Sequence, residues 1–305
     1  MASAPPSPDP LVPDPLVARL RAAGCVFAEE EAALLREAAG PDADARLERL
    51  VARRVAGEPL EHVLGWVAFA GRRWAVAPGV FVPRQRSELL VEAAVRVVRH
   101  DDGGDARVDP GWGDGGPGDG GPGDGGPGDA TVTVVDLCCG VGALGGAVTI
   151  ALREAGRAVT LHAADVDPAA SACAARNLAD LGAAVHTGDL DAPLPPTLRG
   201  RVDLLLCHAP YVPTAAIALL PPEAREHEPV RALDGGADGL AVLRRVIAAA
   251  PTWLAHDGAL LFELGDGRQL TAARALLAQA GLRAQVHEDD ETAAMVVVAT
   301  RAPAG

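Results

Sequence analysis

The chain has 305 residues, 49% of them hydrophobic, enough to bury a substantial core in one medium catalytic domain with something smaller beside it. Its formal net charge is -14 and it contains no lysine, which excludes lysine Schiff-base chemistry and a phosphate-loop lysine. No basic run could track a phosphate backbone, so stable nucleic-acid binding is not expected.

Five cysteines (Cys25, Cys138, Cys139, Cys173 and Cys207) sit in apolar settings without Cys-x-x-Cys spacing, which points to reduced thiols and to neither a disulfide framework nor a metal site. The Pro-rich, acidic start does not read as a signal peptide and no apolar run reaches membrane-spanning length. A cytoplasmic monomer with no membrane attachment is the expectation.

From Leu16 to about Ala56 apolar residues recur at helical spacing (Leu16, Leu20; Ala32, Leu35; Leu47, Leu50, Val51, Val55), with breaks at Gly24 and at Gly40-Pro41. Residues 1–60 therefore read as a small bundle of two or three helices. The stretch VLGWVAFAGRRWAVAPG alternates about Gly71, which predicts a β-hairpin connector over 61–86. Ser87 is then expected to cap a helix over 87–100 with the stripe Leu89, Leu90, Ala93, Ala94, Val97 and Val98.

Residues 101–130 carry GDGGP three times from Gly113 and almost no apolar side chain, the composition of a disordered linker. Its eight Asp and one Arg give -8 + 1 = -7, half of the total excess charge. Residues 131–305 then alternate strand and helix: strands at Val132 to Leu137, Val159 to Asp165, Val202 to His208 and Ala259 to Glu263, with helices between and after them. That order implies an α/β fold with a mostly parallel, doubly wound sheet, closed by an antiparallel hairpin of Arg283 to His287 and Ala294 to Thr300.

The first of these strands runs into CCGVGALGG, so Asp136, Gly140, Gly142 and Gly145 mark a tight strand-to-helix turn of the kind that lets backbone approach a ligand. About twenty-five residues later LHAADVDP presents Asp165, a carboxylate placed to accept both hydroxyls of a ribose. Asp167 reads as the N-cap of the next helix, since Pro168 follows it. Asp189 and Leu190 come after a short third strand, where an adenine ring can be met. VDLLLC ends at His208-Ala209-Pro210-Tyr211, beside the switch-point crevice, and Tyr211 is the only tyrosine in the chain. Arg84 and Glu88 are secondary candidates for the crevice wall, or else a solvated ion pair.

Taken in order, GEPLEHVLGWVAFAG, PGVFVPRQRSELLVE, DLCCGVGALG, ADVDPAA, GDLDAPLP, CHAPYVP, EPVRALDGGADGL and LLFELG resemble the protein-(glutamine-N5) methyltransferases, the HemK/PrmC-like release-factor enzymes, from about residue 57 onward. The resemblance implies a seven-stranded class I methyltransferase sheet of Rossmann-like type, with the helical N-terminal part selecting a protein substrate, a release factor or ribosomal protein. It implies S-adenosyl-L-methionine held by Asp136, the turn Cys138, Cys139, Gly140, Val141 and Gly142, and Asp165, with Asp189 and Leu190 beside the adenine and no metal. The family's Asn-Pro-Pro-Tyr tetrad grips the glutamine amide, whose nitrogen is a poor nucleophile until its two N–H bonds are held by acceptors. Here the tetrad is His208, Ala209, Pro210 and Tyr211: the resemblance assigns substrate contact to all four, catalysis to His208, Pro210 and Tyr211, and contact with the donor to His208 as well. Ala209 keeps the backbone carbonyl, whereas a neutral imidazole accepts through one nitrogen only. Three readings of His208 stay open: altered glutamine or related amide methylation, a different acceptor deprotonated by His208 such as a small-molecule or nucleobase nitrogen, or a weakened or inactive site that still binds the donor.

Overall fold

In a computed structural model the chain is described over residues 14–41, 43–100 and 131–302. The acidic start and the linker expected at 101–130 lie outside the described residues. Helices α1 (Pro15–Ala22), α2 (Ala28–Ala39), α3 (Asp44–Val55) and α4 (Leu60–Leu64) form the N-terminal bundle around Leu20, Leu35, Val51 and Val63. Pro15 occupies the first turn of α1, and the Asp14 carboxylate accepts from Leu16 N at 2.9 Å. The fourth, short helix belongs to a stretch expected to be connector; Pro59 precedes it and His62 ties it onward through Nε2 to the Val80 carbonyl at 2.8 Å.

Strands β1 (Trp66–Phe69) and β2 (Arg72–Ala75) pair antiparallel about Ala70 and Gly71. Both turn residues have positive φ, 47° and 72°, which matches the right-handed twist of a two-residue hairpin. The hairpin lies on the α/β part of the chain through Trp74, which is 1% exposed and rests on Gly146, where a Cβ would come within 2.4 Å of its ring.

A 3-10 turn, Gln85–Ser87, leads into α5 (Glu88–His100), whose stripe Leu90, Ala93, Ala94 and Val98 is buried as expected. The capping role expected of Ser87 is not what the structure gives. Its hydroxyl turns inward and donates to Glu263 Oε2 at 2.6 Å.

The α/β part continues β3 (Val132–Leu137), α6 (Ala143–Glu154), β4 (Val159–Asp165), α7 (Pro168–Asn177), β5 (Ala184–Thr187), β6 (Val202–Cys207), α8 (Pro222–His227), α9 (Val230–Leu233), α10 (Ala241–Trp253), β7 (Leu254–Leu264), α11 (Gly267–Gln279), β8 (Leu282–Asp289) and β9 (Ala294–Arg301). The seven strands stand in the order β5-β4-β3-β6-β7-β9-β8. The first five are parallel, while β9 runs antiparallel between β7 and the edge strand β8. One core joins the hairpin, α5, α6 and α7 to one sheet face, and another joins α10 and α11 to the other. Burial on both faces is why β3 and β6 read as nearly unbroken apolar runs. The short helices between β6 and α10 were not foreseen, being too brief for a periodic signal. Among the described residues no helix is long and apolar enough to cross a membrane.

Docking of the hairpin is checked at Gly146. Gly146→Ala should gain up to about 1 kcal/mol of helix propensity, yet lose more, about 1–3 kcal/mol, by overpacking against Trp74. The urea midpoint should fall, and the same substitution in a Trp74→Ala background should lower it less, since only the end of the Leu178 side chain, 2.8 Å from that Cβ, is left to give way.

Candidate functional site

The strand order reverses beside β3, with β4 on one side and β6 on the other, and Leu137 of β3 stands opposite Cys207 of β6. The loops leaving these two strand ends open onto a cleft of about 980 Å³, counted to its open mouth. Gly140 and His208 both line it, so the glycine turn and the His-Ala-Pro-Tyr run face one space. A smaller chamber of about 360 Å³, lined by Asp136, Ser87 and Leu144 among others, shares Phe81, Cys138, Gly140 and His208 with the cleft.

The turn is built by its own backbone. Cys138 has φ 57°, a strained value for a side chain with a Cβ, and Gly140 follows at 54°, where only glycine is at ease. The Gly140 amide donates to Asp165 Oδ2 and the Asp167 amide to Asp165 Oδ1, each at 2.9 Å. Asp167 in turn caps α7 through Ala169 N at 2.9 Å, as its sequence setting predicted. Asp136 Oδ2 accepts from Gly145 N at 2.9 Å, but Oδ1 is buried with no partner among the described residues. Burial pushes this carboxyl up to about 7, with the nearby Asp165 charge adding to the effect. Hydrogen bonding with Cys207 and burial hold the Cys138 thiol above its ordinary range, and burial does the same for Cys139, so neither is a ready nucleophile.

Across the cleft, Pro210 sets the chain direction into Tyr211, whose carbonyl accepts from Gln269 Nε2 at 2.7 Å. Gly239 makes this contact possible, since a Cβ there would sit 2.2 Å from both atoms. The His208 ring meets Phe81 edge-on, centroids 5.5 Å apart, and lies 5.9 Å from the Tyr211 ring. Its Nε2 is 3.7 Å from Glu263 Oε2. Burial pushes the ring's pKa below its ordinary 6.5; Glu263 opposes this, while Arg86 and Arg84 act with it.

No protein-family profile matches the chain. Similarity to the release factor glutamine methyltransferase of Geobacter sulfurreducens is 35% identity over 233 residues, 76% of this chain and 69% of that protein. The chain belongs to the release factor glutamine methyltransferase family. A shorter stretch of this family member, 145 residues, is 41% identical to the ribosomal protein uL3 glutamine methyltransferase of Bradyrhizobium diazoefficiens, covering 46% and 43% of the two chains. Its fold is shared with the hMettl16 catalytic domain solved with a MAT2A 3'UTR hairpin, at TM-score 0.54 and 12% identity over 83% and 81% of the chains. The sheet is that of a class I methyltransferase.

Within this methyltransferase the cleft collects Cys138, Gly140, Asp165, Asp189, Leu190, His208, Ala209, Pro210 and Tyr211, while Asp136, Cys139 and Val141 line the smaller chamber. Gly142 lines neither; at φ 79° it stands at the N-cap of α6, with Leu178 2.9 Å from where its Cβ would be. The Asp189 carboxylate is engaged by Arg245 at 2.6 Å, leaving Leu190 as the buried apolar contact of that pair. Arg84 and Glu88 do not pair with each other. Arg84 binds the buried Glu228 at 2.6 Å and lies 4.9 Å over the Phe81 ring, whereas Glu88 accepts from the hairpin amide of Ala70 at 2.9 Å. Phe81, Arg86 and Glu263 were not picked out from sequence. A lone acid ending the apolar run LLFELG was the available signal for Glu263.

A neutral His208 should persist below the usual histidine range. A ¹H NMR titration of the ring should give an apparent pKa under 6.5, with any activity that needs the ring as acceptor kept as pH falls through 6.5 and lost lower; a midpoint above 6.5 contradicts this.

Proposed function

We propose that this chain transfers a methyl group from S-adenosyl-L-methionine to the side-chain amide nitrogen of glutamine in a translation protein, either a release factor or a ribosomal protein. The observation that carries this reading is the shared cleft: the glycine turn after β3 and the His-Ala-Pro-Tyr run after β6 face each other across it. The names of the relatives support the substrate class.

The residues present fit the donor. Asp136 Oδ1, buried and without a partner among the described residues, suits the ammonium of the methionine part, and an adjoining cation would draw its carboxyl back toward the ionised form. Asp165 keeps free lone pairs for ribose hydroxyls beyond its two amide bonds. Leu190 gives the adenine an apolar face, and the Cys138 to Val141 turn brings backbone up to the ligand. When bound, the donor supplies an electrophilic methyl carried on sulfur.

The chain's own part is to orient the nucleophile. A ring nitrogen of His208 and the Ala209 carbonyl accept the two amide N–H bonds, turning the nitrogen lone pair toward the methyl. Tyr211, stiffened by Pro210 before it, walls the reacting nitrogen from water. Neutral His208 is also the group able to take the proton that the nitrogen sheds. Helices α1–α4 select the protein substrate; Val26 and Phe27, 82% and 68% exposed at the α1–α2 turn, offer it an apolar contact. The acidic chain works in the cytoplasm as a monomer, without stable nucleic-acid binding.

Incubation with labelled donor and either a release factor or ribosomal protein, followed by mass spectrometry of the labelled peptide, should place the methyl on a glutamine side chain. His208→Asn should raise the rate, because an amide oxygen accepts where the family's site is shaped for it. Donor turnover with label on no glutamine, or a rate unmoved by His208→Asn, contradicts the assignment.

A further inference from the structure

Strands β6 and β7 lie parallel with Cys207 opposite Phe262, so the next residues, His208 and Glu263, emerge side by side beneath the cleft. The Glu263 side chain is 1% exposed. Its Oε1 stands 2.8 Å from Arg86 Nε, and its Oε2 takes the Ser87 hydroxyl at 2.6 Å. Arg86 also spreads over the Tyr211 ring at 5.5 Å, which joins all of these residues into one cluster.

That carboxylate is not fully satisfied. Oε1 and Arg86 Nε are both buried and close, yet no aligned hydrogen bond joins them. A buried anion short of donors favours whatever N–H a neighbour can offer. His208 Nε2 is that neighbour, 3.7 Å from Oε2, longer than a formed hydrogen bond but of the kind that tightens when a substrate closes the site. The ring makes no hydrogen bond to another described residue. The charged groups acting on it are Glu263, Arg86 and Arg84.

We infer that Glu263, held by Arg86 and Ser87, is a positioning residue that fixes His208 as the Nε2–H tautomer, so that Nδ1 presents its lone pair to the substrate amide where the family uses an asparagine oxygen. This rests on the glutamine-methylation reading. A histidine without such a partner exchanges between two tautomers, only one of which accepts at Nδ1. During transfer the amide nitrogen bonds the methyl carbon and the C–S bonding pair returns to sulfur as a neutral thioether. The surplus N–H proton passes to Nδ1. The imidazolium so formed faces Glu263 and then releases its proton to water.

The test is ¹⁵N NMR of the full chain labelled at its eight histidines, with the His208 signal identified by its loss in His208→Asn. At a pH where the ring is neutral, wild type should show a protonated Nε2 and an unprotonated Nδ1, and Glu263→Gln should show a mixture. On a glutamine substrate Glu263→Gln should lower kcat about tenfold, leave KM for the donor unchanged, and be partly rescued by Glu263→Asp. In the His208→Asn background the same change should alter kcat by less than about twofold, since the acceptor no longer depends on a tautomer. An unprotonated Nε2 in wild type overturns the inference, even if Glu263→Gln fails to fold. So does an unaltered kcat in folded Glu263→Gln. Absence of any glutamine methylation by wild type would instead overturn the function reading, with the ring tautomer still judged by NMR.

Discussion

The parallel, in-register pairing of β3 with β6 is the constraint from which the site follows. Leu137 and Cys207 are partners across that pairing, so whatever follows each of them leaves the sheet at the same level and on the same side. Because the chain order reverses there, the loops part and no crossover fills the space between them. A glycine turn held by Asp165 forms one wall and the His-Ala-Pro-Tyr run the other, and neither could be moved without breaking a strand.

The second ordering influence is buried charge. Glu263 and Glu228 are each about 1% exposed at the side chain, and each is met by an arginine of the segment that joins the hairpin to α5. A buried carboxylate that lost its arginine would be strongly destabilising, so these pairs fasten Arg84 and Arg86, and with them Phe81, against the cleft. Farther out, Arg54 of α3 is buried between Glu31 of α2 and Glu223 of α8, so the helical bundle touches the short helices that follow Tyr211. The N-terminal bundle is thereby tied to the stretch of chain that runs between two cleft-lining residues, Val212 and Pro229.

Legibility from sequence followed the range of the interaction. The turn, Asp165 and the Asp167 cap could be read because glycine conformation, capping and strand-end placement are local rules, and the two-period and helical patterns gave most strands and helices. Ser87 departs from its expected role because a serine before a helix usually caps it, while its actual partner is 176 residues away. Glu263 carries no local signal for the same reason: its role depends on Arg86, Ser87 and His208, none of them near it in the chain. The helices between 213 and 234 escaped because a single turn carries no period.

The central claim is that donor and glutamine meet between the ends of β3 and β6. A crystal structure with S-adenosylhomocysteine and a glutamine-bearing peptide tests it most directly. The nucleoside is expected against Asp165 and Leu190, the amino group at Asp136, and the glutamine amide between the His208 ring and the Ala209 carbonyl. A thioether bound elsewhere, or a glutamine side chain on the far side of Tyr211 from His208, would contradict it.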